Sequence, residues 1–229
     1  MRGGLRRAFE LAEQLLLLAQ SANDPALRLY ARRALGSTLY WMGEFLAARE
    51  CLENIITLYD TERHRPLIFS YAGTDARVHY LSYAAWTLWQ LGYPDQALKR
   101  SNEALASAQK LSHPFNLAFA ENFVVVLRQY RREVRAAQET AESMIALSAE
   151  HGFADFLAYA TVLRGWSMAE EGHREDGIAQ IREGLWRVSR DWRGTGPLVF
   201  SNPVGRGVLR DGQPRRRAEC FDGSARRRG

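Results

Sequence analysis

Five histidines are the first candidates for acid–base or metal chemistry: His64, His79, His113, His151 and His173. No two of them share a helical stretch at metal-ligand spacing. The two cysteines, Cys51 and Cys220, stand in unrelated contexts and supply no further ligand. The same two cysteines provide no disulfide framework and imply a reducing, cytoplasmic setting. Serine, histidine and acidic residues are present, but no G-x-S-x-G elbow organises them. The phosphate loop G-x-x-x-x-G-K-S/T is absent, and Gly194-Thr195-Gly196 follows no strand, so it is not read as one. The expectation is a non-enzyme with no catalytic residue, metal or cofactor. What remains is recognition chemistry, in which aromatic rings interspersed with amides supply stacking area and fixed hydrogen bonds to a peptide or a small ring ligand.

Charge offers a competing reading. The formal net charge is +5 over 229 residues. Residues 187–229 hold eleven arginines against four acids, a net of +7, which leaves −2 for residues 1–186. Basicity is therefore a property of the tail. Nucleic-acid binding through that Arg-rich tail is the alternative function, and it carries a strong salt dependence. The cluster Arg128, Arg131, Arg132 and Arg135 offers an acidic partner a contact, or forms a solvated helix end. No run of eighteen apolar residues occurs, so no membrane partner is expected. The apolar run Leu15 to Ala19 is short and follows Glu10 and Glu13, which suits a helix better than a secretion signal.

The elements that position these residues show as a repeat. Gly43, Gly92 and Gly172 each end a helical pattern, and Arg132 stands at the equivalent place in a fourth unit, at intervals of 49, 40 and 40 residues. Five residues after each marker lies Ala48, Ala97, Ala137 or Gly177, and seven before it lies Gly36, Ala85, Val125 or Gly165. Small residues at paired offsets let two antiparallel helices cross at short distance, and the marker glycine supplies a left-handed helix end. The spacing predicts a leading helix at 5–20 and pairs at 25–42 with 45–59, 75–91 with 95–111, 114–131 with 133–150, and 153–171 with 174–189. Asp24-Pro25, Pro94 and Pro114 mark helix starts. The fold class is all-α, a solenoid of antiparallel helix pairs over residues 1–190. The longer connection Tyr59 to Asp75 packs over the solenoid or shapes a binding surface.

Residues 191–229 break the pattern. They hold seven of the 18 glycines and three of the seven prolines, a density that sustains no helix pair. They are read either as an irregular Arg/Gly/Pro-rich tail or as coding sequence translated in a shifted frame. Codons permitted for WRVSRDWRGTGPLVF, read one nucleotide later, can encode a further helix. The last helix pair then lacks a neighbour, so an outer face with Ile178, Ile181 and Leu185 is expected to be partly uncovered and to favour self-association.

The marker glycines and paired small residues resemble the tetratricopeptide repeat. The stretches LSYAAWTLWQLGYPDQAL, LSHPF and LRGWSMAEEGHREDGIAQIREGL resemble the repeat region of bacterial adenylate/guanylate cyclase–ATPase fusion signalling proteins. The resemblance covers about residues 5–186 and implies a fragment of a larger regulator, without its cyclase or ATPase. It also implies that the first helices of successive repeats line a groove, facing it at fixed offsets before each marker. Those offsets select Tyr30, Arg33, Ser37, Tyr40 and Trp41, then His79, Ser82, Trp86, Trp89 and Gln90. In the third unit they select Phe119, Asn122, Val126, Gln129 and Tyr130, and in the fourth Tyr159, Val162, Trp166, Ala169 and Glu170. The expected occupant is a protein or peptide partner or a small-molecule effector. Trp86, Trp89 and Trp166 have an equal alternative as packing between helices.

Overall fold

The computed structural model describes residues 2–58 and 74–191. Among them lie nine helices and no strand: α1 (Arg2–Ser21), α2 (Pro25–Met42), α3 (Phe45–Leu58), α4 (Ala76–Gln90), α5 (Pro94–Leu111), α6 (Pro114–Tyr130), α7 (Val134–His151), α8 (Ala154–Glu170) and α9 (Arg174–Asp191). The expected helices agree with these bounds to within three residues. Most of the Tyr59 to Asp75 connection, and the tail with its two readings, lie outside the described residues.

Turn chemistry explains why the markers keep register. Gly43, Gly92 and Gly172 have φ of 85°, 82° and 103°, and Arg132 takes the same left-handed conformation at 61°. The amide after each marker reaches back into the helix. Glu44 N–H donates to the Leu39 carbonyl at 3.0 Å, Tyr93 to Leu88 at 2.9 Å, Glu133 to Arg128 at 3.0 Å and His173 to Met168 at 2.9 Å. This closure satisfies carbonyls that the helix end would otherwise orphan. Two of the helix starts are capped by aspartate. The Asp24 carboxylate accepts from Ala26 and Leu27 at 2.9 and 3.0 Å. Asp75 accepts from Arg77 and Val78 at 2.9 and 3.2 Å. The Asn116 side-chain oxygen accepts from the Asp75 amide at 2.7 Å and so ties the start of α4 to the first turn of α6.

Each helix packs against the next, α1 on α2, α2 on α3, α3 on α4 and so on to α9. The first helices of the pairs also pack closely in succession, α2 with α4, α4 with α6 and α6 with α8, whereas the second helices α3 and α5 stand further apart and meet through the Glu53–Arg100 ion pair. The row whose members pack closely is therefore the inner one. The core is continuous along it, with Trp86, Tyr80, Leu52, Ile55, Leu81, Leu88, Leu127 and Met144 fully enclosed. Each such side chain contributes about 1.5–3 kcal/mol of burial.

The small residues act where they were expected, most tightly in the last pair. A Cβ at Gly177 would sit 2.5 Å from the Gly165 carbonyl oxygen, and one at Gly165 2.6 Å from that of Gly177. Gly184, which the repeat offsets do not select, closes a second contact: a Cβ there would lie 2.6 Å from Val162 Cγ2 and 2.7 Å from the Ala158 carbonyl oxygen. The expected partly uncovered face of α9 needs correction at Ile181 alone. Ile181 is 5% exposed because the glycines let α9 sink onto α8, with Ile178 and Leu185 half-buried.

Candidate functional site

The inner row carries an aromatic chain that crosses three helices. From α2, the Tyr40 ring meets Tyr83 at 5.7 Å and Trp86 at 5.9 Å between centroids. From α4, Trp86 meets Phe123 of α6 at 4.1 Å, and Tyr83 meets the same ring at 4.9 Å. Phe119 continues the row at 4.9 Å from Phe123, and His79 lies over Phe119 at 5.7 Å and 19° between planes. Offset and edge-on pairs of this kind add about 0.5–1.5 kcal/mol each beyond burial. Their polar tips are satisfied inside the fold. Trp86 Nε1 donates to the Phe123 carbonyl at 2.9 Å, Tyr80 Oη to the Leu29 carbonyl at 2.8 Å, and Trp41 Nε1 to Tyr83 Oη at 3.2 Å.

The groove residues divide by depth. Tyr40, His79, Trp86, Asn122, Gln129 and Trp166 are buried, Trp86 to 2% exposure and Trp166 to 6%. They are floor and core, so for these two tryptophans the packing alternative describes the geometry. Tyr30, Arg33, Trp41, Trp89, Tyr130 and Tyr159 are half-buried, and Gln90 is exposed. Trp89 and Tyr130 stack at 5.9 Å with 12° between ring planes, joining the ends of α4 and α6. Gln90 hydrogen-bonds Tyr40 and thereby links this rim to the floor. Burial raises the phenols of Tyr40 and Tyr83, and it pushes those of Tyr130 and Tyr159 up to about 12. These hydroxyls therefore stay neutral at physiological pH and serve as hydrogen-bonding groups.

Tyr83 and Phe123 are the members that the repeat offsets miss. A signal existed in α4, where Tyr80, Tyr83, Trp86 and Trp89 place a ring every three residues with His79 beside the first, wider than one face needs.

Polar groups on the floor are less complete. Arg33 Nη1, His79 Nδ1, Ser82 Oγ and Gln129 Oε1 are buried without a hydrogen-bond partner. Burial lowers the Arg33 guanidinium from its ordinary value, against weaker upward pulls from Tyr80, Tyr30, Tyr83 and Asp75. Burial, helped by the charge of Arg33, holds the His79 imidazole well below its usual range, so it is neutral.

Of the arginines at the α6–α7 turn, Arg128 and Arg131 are half-buried, whereas Arg132 and Arg135 are exposed, as a solvated helix end requires. Arg128 donates to the Ala136 carbonyl at 2.8 Å and to Thr140 Oγ1. Arg131 pairs with Glu133 at 2.5 Å, Arg132 with Glu170 at 3.0 Å and Arg135 with Glu139 at 3.4 Å. Cys51 is an interior residue whose Sγ donates to the Arg32 carbonyl at 3.6 Å, and burial pushes its thiol up to about 11. Among the described residues no three His, Cys, Asp or Glu side chains gather as a metal set, and no helix is long and apolar enough to cross a membrane.

No protein-family model matches the chain. An uncharacterized protein of Rhizobium meliloti is 21% identical over 179 residues, covering 78% of this chain and 17% of that protein. The chain therefore spans under a fifth of that relative's length. Two crystal structures of a Podosopora anserina chain, described as a kinesin light chain with nearly identical TPR-like repeats, superpose with TM-scores of 0.57 and 0.55. Their identities are 16% and 17%, and each match covers 84% of this chain and 91% of that one. BtubC (BKLC) of P. vanneervenii superposes with a TM-score of 0.51 at 16% identity, covering 96% of this chain and 99% of that one. The likeness shows the fold, a solenoid of tetratricopeptide-like repeats.

Proposed function

We propose that this chain is a non-catalytic interaction scaffold whose inner helix row receives a segment of a partner protein. The observation that carries the reading is the half-open rim, Trp41, the Trp89–Tyr130 stack and the Gln90 amide, above a closed aromatic floor. Rigid rings of this kind anchor a peptide at low entropic cost, and an exposed amide fixes its register. The resemblance to cyclase–ATPase fusion proteins supports a place in a larger cytoplasmic signalling regulator. The small share of the bacterial relative that this chain spans agrees with that.

The test is a peptide-library selection against the full chain, followed by anisotropy titration of the selected peptides. The double variant Trp89→Ala/Tyr130→Ala is expected to weaken them tenfold or more, with helix content unchanged by circular dichroism. Equal affinity for variant and wild type would show that the rim is not the docking surface.

A further inference from the structure

The outer row holds a feature that the inner groove does not explain. The second helices α3 and α5 leave between them a crevice of about 490 Å³. Leu46, Arg49, Glu50, Glu53 and Asn54 line one wall, at spacings of three and four residues that present a single face of α3. Gln96 and Arg100, one turn apart on α5, line the other. From Leu46 to Asn54 the wall runs about 12 Å, just over two helical turns.

The two ends of the crevice differ. At one end Arg100 ties the helices together, donating to Glu53 at 2.5 Å and to Glu103 at 2.8 Å. The other end is open and apolar, with Leu46 74% exposed and Tyr93 41% exposed. Arg49 joins these two residues. It follows Leu46 by one turn, and its guanidinium carbon lies 4.8 Å from the centre of the Tyr93 ring. Stacking of this kind holds the fork in place and leaves its edge free to donate. Among the described residues no acid takes that edge by hydrogen bond or ion pair. Glu50 is exposed on the same wall, but it stands about 100° round the helix from Arg49, in line with Asn54.

We infer that the crevice between α3 and α5 is a second docking surface, which takes a helix of a partner protein bearing a carboxylate and a large apolar side chain one turn apart. The wall has the length of two turns of such a helix. With Leu46 and Glu50 standing exposed on it, the crevice is too open to enclose a small molecule. The partner's carboxylate meets the Arg49 fork, and its apolar side chain covers Leu46 and Tyr93. A base or an amide further along the same helix suits Glu50 and Asn54. This surface lies on the outer row and does not depend on the inner groove.

The test is a selection from a display library of stapled helical peptides against the full chain, with counter-selection against the double variant Leu46→Asp/Arg49→Glu. The peptides retained are expected to carry an acid three or four residues from a large apolar side chain. Titrated by anisotropy, they should bind Arg49→Gln tenfold or more weakly, and Arg49→Lys about threefold more weakly, because lysine keeps the charge and loses the planar fork. Arg49→Glu should reverse the preference, favouring the counterpart peptide in which lysine replaces the acid. Leu46→Ala should weaken binding about fivefold and leave the melting midpoint unchanged, since the side chain it removes is exposed. Trp89→Ala/Tyr130→Ala should hold the same peptides as the wild type does. Recovery of no peptide, recovery of peptides without an acid, or equal affinity for wild type and Arg49→Gln overturns the inference. Loss of binding in Trp89→Ala/Tyr130→Ala assigns the peptides to the inner groove and overturns it likewise. A dimer of the free chain in sedimentation that Leu46→Ala dissolves gives the crevice to a second copy and overturns it too.

Discussion

Replacing Gly177 with alanine sets two opposing effects against each other. Gly177 lies inside α9, where alanine is favoured over glycine by about 1 kcal/mol. Against this, the added Cβ would sit 2.5 Å from the Gly165 carbonyl oxygen, 2.8 Å from the Ala169 amide nitrogen and 2.9 Å from Ala169 Cβ. Two of those atoms are backbone and cannot swing aside, so α8 and α9 must separate along their length. Overpacking of this kind costs about 1–3 kcal/mol and sometimes more, and three simultaneous clashes place it at the upper end. The net expectation is a loss of about 2 kcal/mol. For a unit of this size that lowers the melting midpoint by about 4–8 °C. The loss should be local, because a solenoid transmits stress only through neighbouring repeats. Hydrogen exchange read by mass spectrometry should therefore show α8 and α9 opening earlier while α4 to α6 keep their protection. Gly36→Ala is the control, since its closest clash, at 2.8 Å, is with the movable end of Leu52. A Gly177→Ala protein as stable as wild type, or more so, would refute the claim that backbone contact fixes this crossing.

Three further outcomes follow from the same packing. Arg132→Gly should stabilise the α6–α7 turn by about 0.5–1 kcal/mol, because the left-handed φ of 61° costs arginine more than its exposed pair with Glu170 returns; a lower melting midpoint would contradict this. Glu121, buried with one carboxylate oxygen orphaned and the other accepting from Ser143 at 2.7 Å, has its pKa raised by burial. A raised folded value means its contribution favours the fold at low pH and is lost as pH rises through that value, so Glu121→Gln should raise the midpoint at neutral pH and give no gain below about pH 4. Trp86→Ala should cost about 3–5 kcal/mol in denaturant unfolding, whereas Trp89→Ala on the half-open rim should cost about 1 kcal/mol, and equal losses would contradict their assignment to core and rim.

The helices and their turns were legible because their causes are local. Apolar spacing, Asp24 before Pro25, and a left-handed residue at a fixed offset act over a few neighbouring residues, and they place the helix pairs wherever the chain is described. Even Arg132 could be assigned to a glycine slot, since the closing bond from Glu133 to Arg128 imposes the conformation whatever the side chain. Depth in the groove was not legible. Trp86 and Trp89 are three residues apart on one helix and equal in composition. One is sealed against Phe123 and the other stacks at the rim on Tyr130, because only the placement of α6 decides which ring is covered. The same holds for Ile181, expected outside and found inside once Gly165 and Gly177 bring α8 and α9 together. Arg33, His79 and Ser82 could be named as groove residues from spacing. That Arg33 Nη1, His79 Nδ1 and Ser82 Oγ are buried with no hydrogen-bond partner among the described residues depends on the neighbouring helices together, and only the tertiary structure could decide it.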